Sequence, residues 1–265
     1  MTEVNGLEKP RYKNWIPFKL VAAVLLGALA LLLIARLLVE KNAVAGLLLM
    51  LLAFAALFFG LYILRARTAL DDDGGGVQGK VLDGVLRHLA RTGWNGRGKA
   101  LDIGCGSGAL TVKLAKAYPR AHVVGVDLWG RGWEYSQKLC EDNARIEGVG
   151  ARASFRRGDA AKLPFVDGVF DVAVSNFVFH EVRAQPDKRA LILEALRVLR
   201  PGGAFAFQDT FFNRHVYGDA QEFVAALRPH VTEIHFVDMR RPDYAPGFLN
   251  TRVVLGNMGL IWGRK

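Results

Sequence analysis

Two long apolar runs dominate the first quarter of the chain, and beyond residue 76 the apolar positions break into short clusters separated by helical periods. Residues 20–35 carry no charge and residues 43–64 none either, with Leu, Ala, Phe and Val making up most of both. At about 1.5 Å per residue the second run spans a hydrocarbon core of about 30 Å. The first does so when residues 15–39 are counted, with Lys19 and Arg36 snorkelling. The pattern predicts two transmembrane helices, over about 15–39 and 43–64, closed into a tight hairpin by Glu40, Lys41 and Asn42. Lys9, Arg11, Lys13 and Lys19 flank the first helix, and Arg65 and Arg67 follow the second, which places both outer flanks in the cytoplasm under the positive-inside rule. A cleaved signal peptide would show a small-x-small site before the next charges, and none is clear. A buried hairpin inside a soluble protein is the other alternative, and a long uncharged run weighs against it.

The composition changes at DDDGGG, residues 71–76, a charged and glycine-rich stretch that reads as a linker. The expected organisation is an N-terminal segment over residues 1–70, the linker over 71–76 and a globular domain over 77–265. Residues 77–90 place Val81, Leu82, Val85, Leu86 and Leu89 at helical spacings. Strands are expected at 100–103, 123–126, 153–156, 170–175 and 204–208, with helices at 109–117, 133–147 and 188–199 among them. Short buried runs alternating with helices predict an α/β domain with a parallel sheet covered on both faces.

Charge and cysteine content narrow the setting. The 265 residues are 51% hydrophobic and carry a formal net charge of +10. From residue 74 onward 27 Lys and Arg stand against 19 Asp and Glu, which is +8 of that total. Such a balance favours an anionic surface, either an inner membrane leaflet or nucleic acid. No basic run interleaved with aromatics supports nucleic acid, and the apolar helices already give a reason for positive charge. In MRRPDYAPGFLN, residues 239–250, Arg240 and Arg241 are expected at lipid headgroups with Tyr244 and Phe248 at the interface, an ordinary connection being the alternative. Cys105 and Cys140 form neither a disulfide framework nor a metal spacing, which fits a reducing cytoplasm. The six histidines show no zinc pattern, and no metal is expected.

The stretch LDIGCGSGAL, residues 101–110, puts Gly104, Gly106 and Gly108 where the first strand meets its helix. Glycine gives up packing and costs conformational entropy, so three of them mark a backbone that turns sharply or approaches a ligand closely. In such sheets ligands lie at the carboxyl ends of the strands, facing the N–H groups of a helix start. A nucleotide-like cofactor follows. Gly104, Gly106 and Ala109 also satisfy the dinucleotide spacing, and Asp127, 23 positions after Gly104, suits a ribose hydroxyl in either case. Asp102 lies two residues before the first glycine, where a carboxylate favours a cationic ligand and gains nothing from a pyrophosphate; capping of the next turn is its alternative role. Asp159, in RRGDAAKLPF, follows the third strand and suits an exocyclic amine. FDVAVSNFVFHEV, residues 170–182, is a buried strand ending in polar residues, and LRVLRPGGAFAF follows at 196–207.

These four motifs, in this order and spacing, resemble the class I S-adenosylmethionine-dependent methyltransferases of the small-molecule type, over roughly residues 77–265. The resemblance implies a Rossmann-like, doubly wound seven-stranded sheet with an antiparallel last strand, for which the closing MGLIWGRK is the candidate. It implies S-adenosyl-L-methionine as cofactor, with Asp102, Gly104, Gly106 and Gly108 along the methionine portion and Asp127 on the ribose hydroxyls. Leu128 then packs near adenine, Asp159 binds the adenine amine beside the Ala160 backbone N–H, and Asn176 contacts the methionine end. His180 and Glu181 follow strand four, where acceptor atoms are expected, and are candidates for a base or for positioning groups. A helix-starting pair held by local hydrogen bonds is the alternative. Trp129 and Trp133 wall the adenine side or pack the second helix, and Cys105 reads as a small loop filler.

A sulfonium methyl group is already activated, so the protein has mainly to align an acceptor and exclude water. Orientation supplies several kcal/mol, with a ceiling of about 7–11 kcal/mol. A base is needed only if the acceptor must lose its proton early. The expected function is methyl transfer to a small or lipid-like acceptor by an enzyme anchored in the lipid bilayer, its catalytic domain cytoplasmic. The alternatives are a tethered enzyme with a soluble acceptor, a non-catalytic cofactor-binding or assembly module, and a methyltransferase acting on protein or nucleic acid. Amino-methylating nucleic-acid enzymes carry an Asn-Pro-Pro-Tyr type motif after strand four, where this chain has SNFVF at 175–179.

Overall fold

The computed structural model describes residues 9–71, 76–130 and 135–265. They form two compact units: Asn14–Gly79 is one, and the other joins the described part of Met1–Lys13 to Lys80–Lys265.

The first unit is built on α1 (Phe18–Val39) and α2 (Ala43–Leu70). Leu- and Ala-rich sequence favours helix throughout both. Pro17 precedes α1 and sets its start, three residues later than the apolar pattern alone implies. Asn42 caps α2, its side-chain oxygen accepting the Ala45 N–H at 3.1 Å. The far end of α2 runs past Leu64 through Arg65 and Arg67. The Asn14 side chain donates to the Arg67 carbonyl at 2.8 Å, and the Arg67 guanidinium donates to the Ile16 carbonyl. Small residues line the seam: Val21, Ala28 and Ala35 on α1, and Gly46, Ala53 and Gly60 on α2, each set repeating every seventh residue. A Cβ at Gly46 would lie 2.6 Å from Val39 Cα, and one at Gly60 would lie 2.5 Å from Leu25 Cδ2. The seam therefore brings the two backbones close, as small residues do between apolar helices. Large side chains are displaced outward, with Leu26, Leu33, Leu37, Leu51 and Phe58 each more than half exposed. Both helices are long and apolar enough to cross a membrane.

The second unit is the α/β domain. After α3 (Val77–Arg91) come β1 (Arg97–Ile103), α4 (Ala109–Ala117), β2 (Arg120–Asp127), α5 (Gln137–Ile146), β3 (Ala153–Arg157), β4 (Phe170–Asn176), α6 (Lys188–Arg197) and β5 (Leu199–Asp209). Then follow α7 (Arg214–Tyr217), α8 (Ala220–Leu227), β6 (Glu233–Asp238) and β7 (Gly259–Arg264). The sheet order is β3-β2-β1-β4-β5-β7-β6. β1 to β5 run parallel, and β7, from the closing MGLIWGRK, is antiparallel to both β5 and β6. Leu101, Ile103, Phe179, Leu191, Phe205 and Phe207 are fully buried in the core on one face of the sheet. The order reverses between β1 and β4, so the turns that follow these two strands part at a switch point, where ligands of open α/β sheets bind.

In residues 239–250 both arginines are exposed. Arg240 pairs with Asp238 at 2.6 Å, and its guanidinium carbon lies 3.9 Å from the Phe212 ring centroid. Tyr244 and Phe248 are half-buried, and burial pushes the Tyr244 hydroxyl up to about 12. Trp133, and residues 72–75 of the linker, lie outside the described residues.

Candidate active site

The turn after β1 is made by backbone that only glycine adopts freely. Gly104, Gly106 and Gly108 have φ of +70°, +56° and +82°, a region where a Cβ crowds the backbone. Gly104 also lies under Val178: a Cβ there would come 2.1 Å from Val178 Cγ2. At Gly108 a Cβ would sit 3.2 Å from the Phe155 ring and 3.3 Å from Cys140 Cβ, so this glycine lets α4 approach the sheet. Among the described residues, the atoms nearest a Cβ at Gly106 are those of the Tyr135 ring at 3.6 Å. Replacing Gly104 with Ala is therefore expected to cost about 3 kcal/mol or more, from left-handed strain of about 1–2 kcal/mol and overpacking of about 1–3 kcal/mol. Thermal unfolding in detergent checks this. Adding Val178→Ala should restore the overpacking part only, and no recovery would place the whole cost in the backbone.

Asp127 ends β2 and braces that turn. Its Oδ2 accepts the Gly106 N–H at 2.9 Å and its Oδ1 the Trp129 N–H at 2.7 Å, while the Trp129 indole N–H donates to the Gly106 carbonyl at 3.0 Å. Trp129 thus packs back on the glycine turn, held at a φ of +43°. Each Asp127 oxygen keeps a second lone pair for a ligand donor. Leu128 beside it is 49% exposed, an apolar surface at the same sheet edge. Asp102 is buried beneath and accepts the Thr111 hydroxyl at 2.6 Å, fastening the first turn of α4. Burial, with the Asp127 charge adding to it, raises the Asp102 carboxyl to about 7.

The strand order sets Asp159, Asp127, the glycine turn and Asn176 along one edge. The Gly158 N–H donates to the Asp127 carbonyl at 3.0 Å, which joins the end of β3 to that of β2. Asp159 Oδ1 accepts the Ala161 N–H at 2.8 Å, and Asp159 and Ala160 are half-buried. On the other side of β1, Asn176 Oδ1 accepts the Gln208 amide at 2.7 Å.

After β4 the chain wraps around a carboxylate that the sequence reading did not single out. Asp209, fully buried at the end of β5, accepts the N–H groups of Val178 (3.1 Å), Phe179 (2.8 Å) and Thr210 (2.6 Å), and lies 2.6 Å from His180 Nδ1. His180 Nε2 is 3.4 Å from Glu181 Oε1. Burial acts to lower the His180 pKa, but the Asp209 charge and hydrogen bond, with Glu181, outweigh it and raise it to about 10. Burial alone would raise Asp209, yet the His180 charge and its hydrogen bond hold it below the usual carboxylate value. The hydrogen bond from His180 likewise lowers Glu181. At neutral pH the imidazole is therefore a cation between two carboxylates, a hydrogen-bond donor and not a base. Burial holds Cys105 as a thiol, and no metal-binding cluster occurs among the described residues.

Residues 101–207, the span from β1 through the core of β5, match a family described as a methyltransferase domain. Over 201 residues the chain is 26% identical to the ubiquinone/menaquinone biosynthesis C-methyltransferase UbiE of Desulfotalea psychrophila, covering 67% of this chain and 77% of that protein. The chain is an S-adenosylmethionine-dependent methyltransferase. The methyltransferase is also 35% identical over 132 residues to the phthiotriol/phenolphthiotriol dimycocerosates methyltransferase of Mycobacterium tuberculosis, a match over 49% of this chain and 45% of that one. Among solved structures it is similar in fold to the geranyl diphosphate C-methyltransferase of Streptomyces coelicolor A3(2), in complex with Mg2+, geranyl-S-thiolodiphosphate and S-adenosyl-L-homocysteine. The TM-score is 0.52 at 16% identity, over 70% of this chain and 75% of that one.

Proposed function

We propose that this methyltransferase is anchored in a membrane by α1 and α2, with its catalytic unit cytoplasmic, and that it methylates a lipid-like acceptor at that surface. The outer face of the two helices carries the reading. Large apolar side chains cover it, with charge confined to its ends, and a soluble monomer rarely exposes an apolar patch beyond a few hundred Å². The cationic balance of the whole chain favours an anionic leaflet. The names of two relatives, one of ubiquinone and menaquinone biosynthesis and one of dimycocerosates, point to the same acceptor class.

The residues at the sheet edge fit the cofactor in their chemistry: the acids Asp102, Asp127 and Asp159 for a cationic ligand, an exposed apolar Leu128, and a glycine turn whose backbone a ligand can approach. When bound, S-adenosylmethionine supplies an activated methyl group. Asp127 takes the ribose hydroxyls with the lone pairs that Gly106 and Trp129 leave free. Gly104, Gly106 and Gly108 let the backbone lie against the methionine portion, and Asp102 lies beneath that turn. Leu128 lies against adenine, Asp159 and the Ala160 N–H take its polar edge, and Asn176 flanks the methionine end. His180, kept cationic by Asp209 and Glu181, sets a positive charge near an acceptor oxygen and so favours its anionic form, which raises the acceptor's electron density. Glu181, half-exposed and ionised, is the group able to take a proton.

The test is full-length enzyme in detergent, given labelled S-adenosylmethionine and separately a total lipid extract, a soluble metabolite extract, and protein and RNA fractions. Label is expected in the organic phase of the lipid reaction and is expected to vanish with Asp127→Ala. Label confined to soluble metabolites, protein or RNA overturns the acceptor class, and release of the enzyme from membranes by alkaline carbonate overturns the anchor.

A further inference from the structure

We propose that residues 9–13 are part of the cofactor site, a backbone strap that Asn143 fastens to the glycine turn, so that strap docking and cofactor binding stabilise each other. This rests on the reading that the turn at residues 104–108 holds S-adenosylmethionine. Asn143, on α5, is 1% exposed. Its amide oxygen accepts the Arg11 N–H at 2.7 Å, and its amide nitrogen donates to the Arg11 carbonyl at 3.2 Å and to the Ser107 carbonyl at 2.9 Å. The side chain thus reads both backbone groups of Arg11, as a neighbouring strand would, and spends its remaining donor on the glycine turn. An asparagine amide has two N–H donors, and here both are used. Removing the strap would leave a buried donor and acceptor without partners, a state that costs more than the bonds themselves contribute.

Other contacts from the same helix face make α5 a rail between strap and turn. Cys140 Sγ lies 3.1 Å from the Gly106 carbonyl, and Glu147 accepts the Tyr12 hydroxyl at 3.3 Å while pairing with Lys116 through its other oxygen. Positions 140, 143 and 147 fall on one side of a helix. Fixing the Ser107 carbonyl fixes the peptide plane into Gly108, and with it the left-handed Gly108 from which α4 starts. The strap acts through its main chain at Arg11, so the positive charge there is incidental to this role.

Arg11→Pro tests this, because it removes one N–H and leaves Asn143 and Ser107 in place. With full-length protein in detergent, calorimetry is expected to show S-adenosylhomocysteine binding weakened about fivefold or more, within the usual range of coupling between sites. The ligand-free melting temperature should stay within about 3 °C of wild type, a shift worth roughly 1 kcal/mol at this size. Coupling is reciprocal, so S-adenosylhomocysteine should slow tryptic cleavage after Lys13 in wild type by a similar factor and give no such protection in Arg11→Pro. Tyr12→Phe should weaken binding in the same direction by less. Equal affinities for wild type and Arg11→Pro, with cleavage indifferent to the ligand, overturn the strap. Equal affinities for wild type and Asp127→Ala overturn the placement of the cofactor, and the strap's part in it with it.

Discussion

Asp209→Ala is expected to destabilise the catalytic unit by about 3–5 kcal/mol, the cost of leaving one member of a buried pair unmatched. The Asp209 carboxylate gathers three backbone N–H groups and His180, so its loss frees the chain after β4 as well as the imidazole. At roughly 2–4 °C per kcal/mol for a chain of this size, the melting temperature should fall by about 10 °C. Asp209→Asn keeps the shape and loses the charge, so the His180 pKa should drop from about 10, with Glu181 left to oppose burial. NMR titration of His180 reads that shift. The pH dependence has a definite sign. A raised histidine pKa contributes stability fully below its unfolded value near 6.5, and that contribution fades as pH climbs toward 10. On the acid side, the lowered Asp209 contributes above its unfolded value of 3.8 and loses its share as pH falls through its folded value. Both describe one interaction and count once. An unchanged melting temperature and titration in Asp209→Asn would show that the dyad carries no charge.

Asp127→Ala should raise the dissociation constant of S-adenosylhomocysteine by about a hundredfold or more. Hydrogen bonds to a charged acceptor contribute roughly 1.5–3 kcal/mol each, two ribose hydroxyls are at stake, and the variant also releases the Gly106 and Trp129 N–H groups that the carboxylate braces. Asp127→Asn, which keeps one acceptor oxygen, should fall between. Calorimetry gives all three affinities, and the same titration with a nicotinamide dinucleotide is the control: binding of that ligand in place of S-adenosylhomocysteine would sink the assignment.

Local signals made most of the edge legible. LDIGCGSGAL combines an apolar strand, glycines and a helix start, and the three positive φ angles are what such a run of glycines is for. The antiparallel β7 came from the family resemblance, with MGLIWGRK as the segment assigned to it, and that segment is where the strand lies. Strands came out longer than their apolar cores, as with β5, which begins at Leu199 and carries its hydrogen bonding through polar and glycine positions before Ala204. β6, EIHFVD, escaped notice because it is an edge strand, partly buried on each face, with no clean alternation. α8 carried a readable signal in Asp219, whose side chain caps Gln221 and Glu222, but eight residues give too few periods to weigh. Asp209 is the instructive omission. It stands 29 positions from His180, and only the pairing of β4 with β5 brings them together; an acid closing a long buried strand was the available hint. Asn143 is harder still, since an asparagine inside an amphipathic helix gives no sign of what it faces.

The seam of α1 and α2 lies in the chain between the strap and the sheet, so the hairpin is an excursion: the polypeptide leaves the catalytic unit at Lys13 and rejoins it at Lys80. Any bilayer it enters must be crossed an even number of times, or strap and Asn143 would end up in different compartments. Orientation is then a single choice for the whole molecule, and charge substitutions that inverted one helix alone would be opposed by the fold as well as by the leaflet. Parity also leaves almost nothing to translocate. Glu40, Lys41 and Asn42 are all that joins the two helices, so on the proposed anchoring the far compartment would receive a turn and no more.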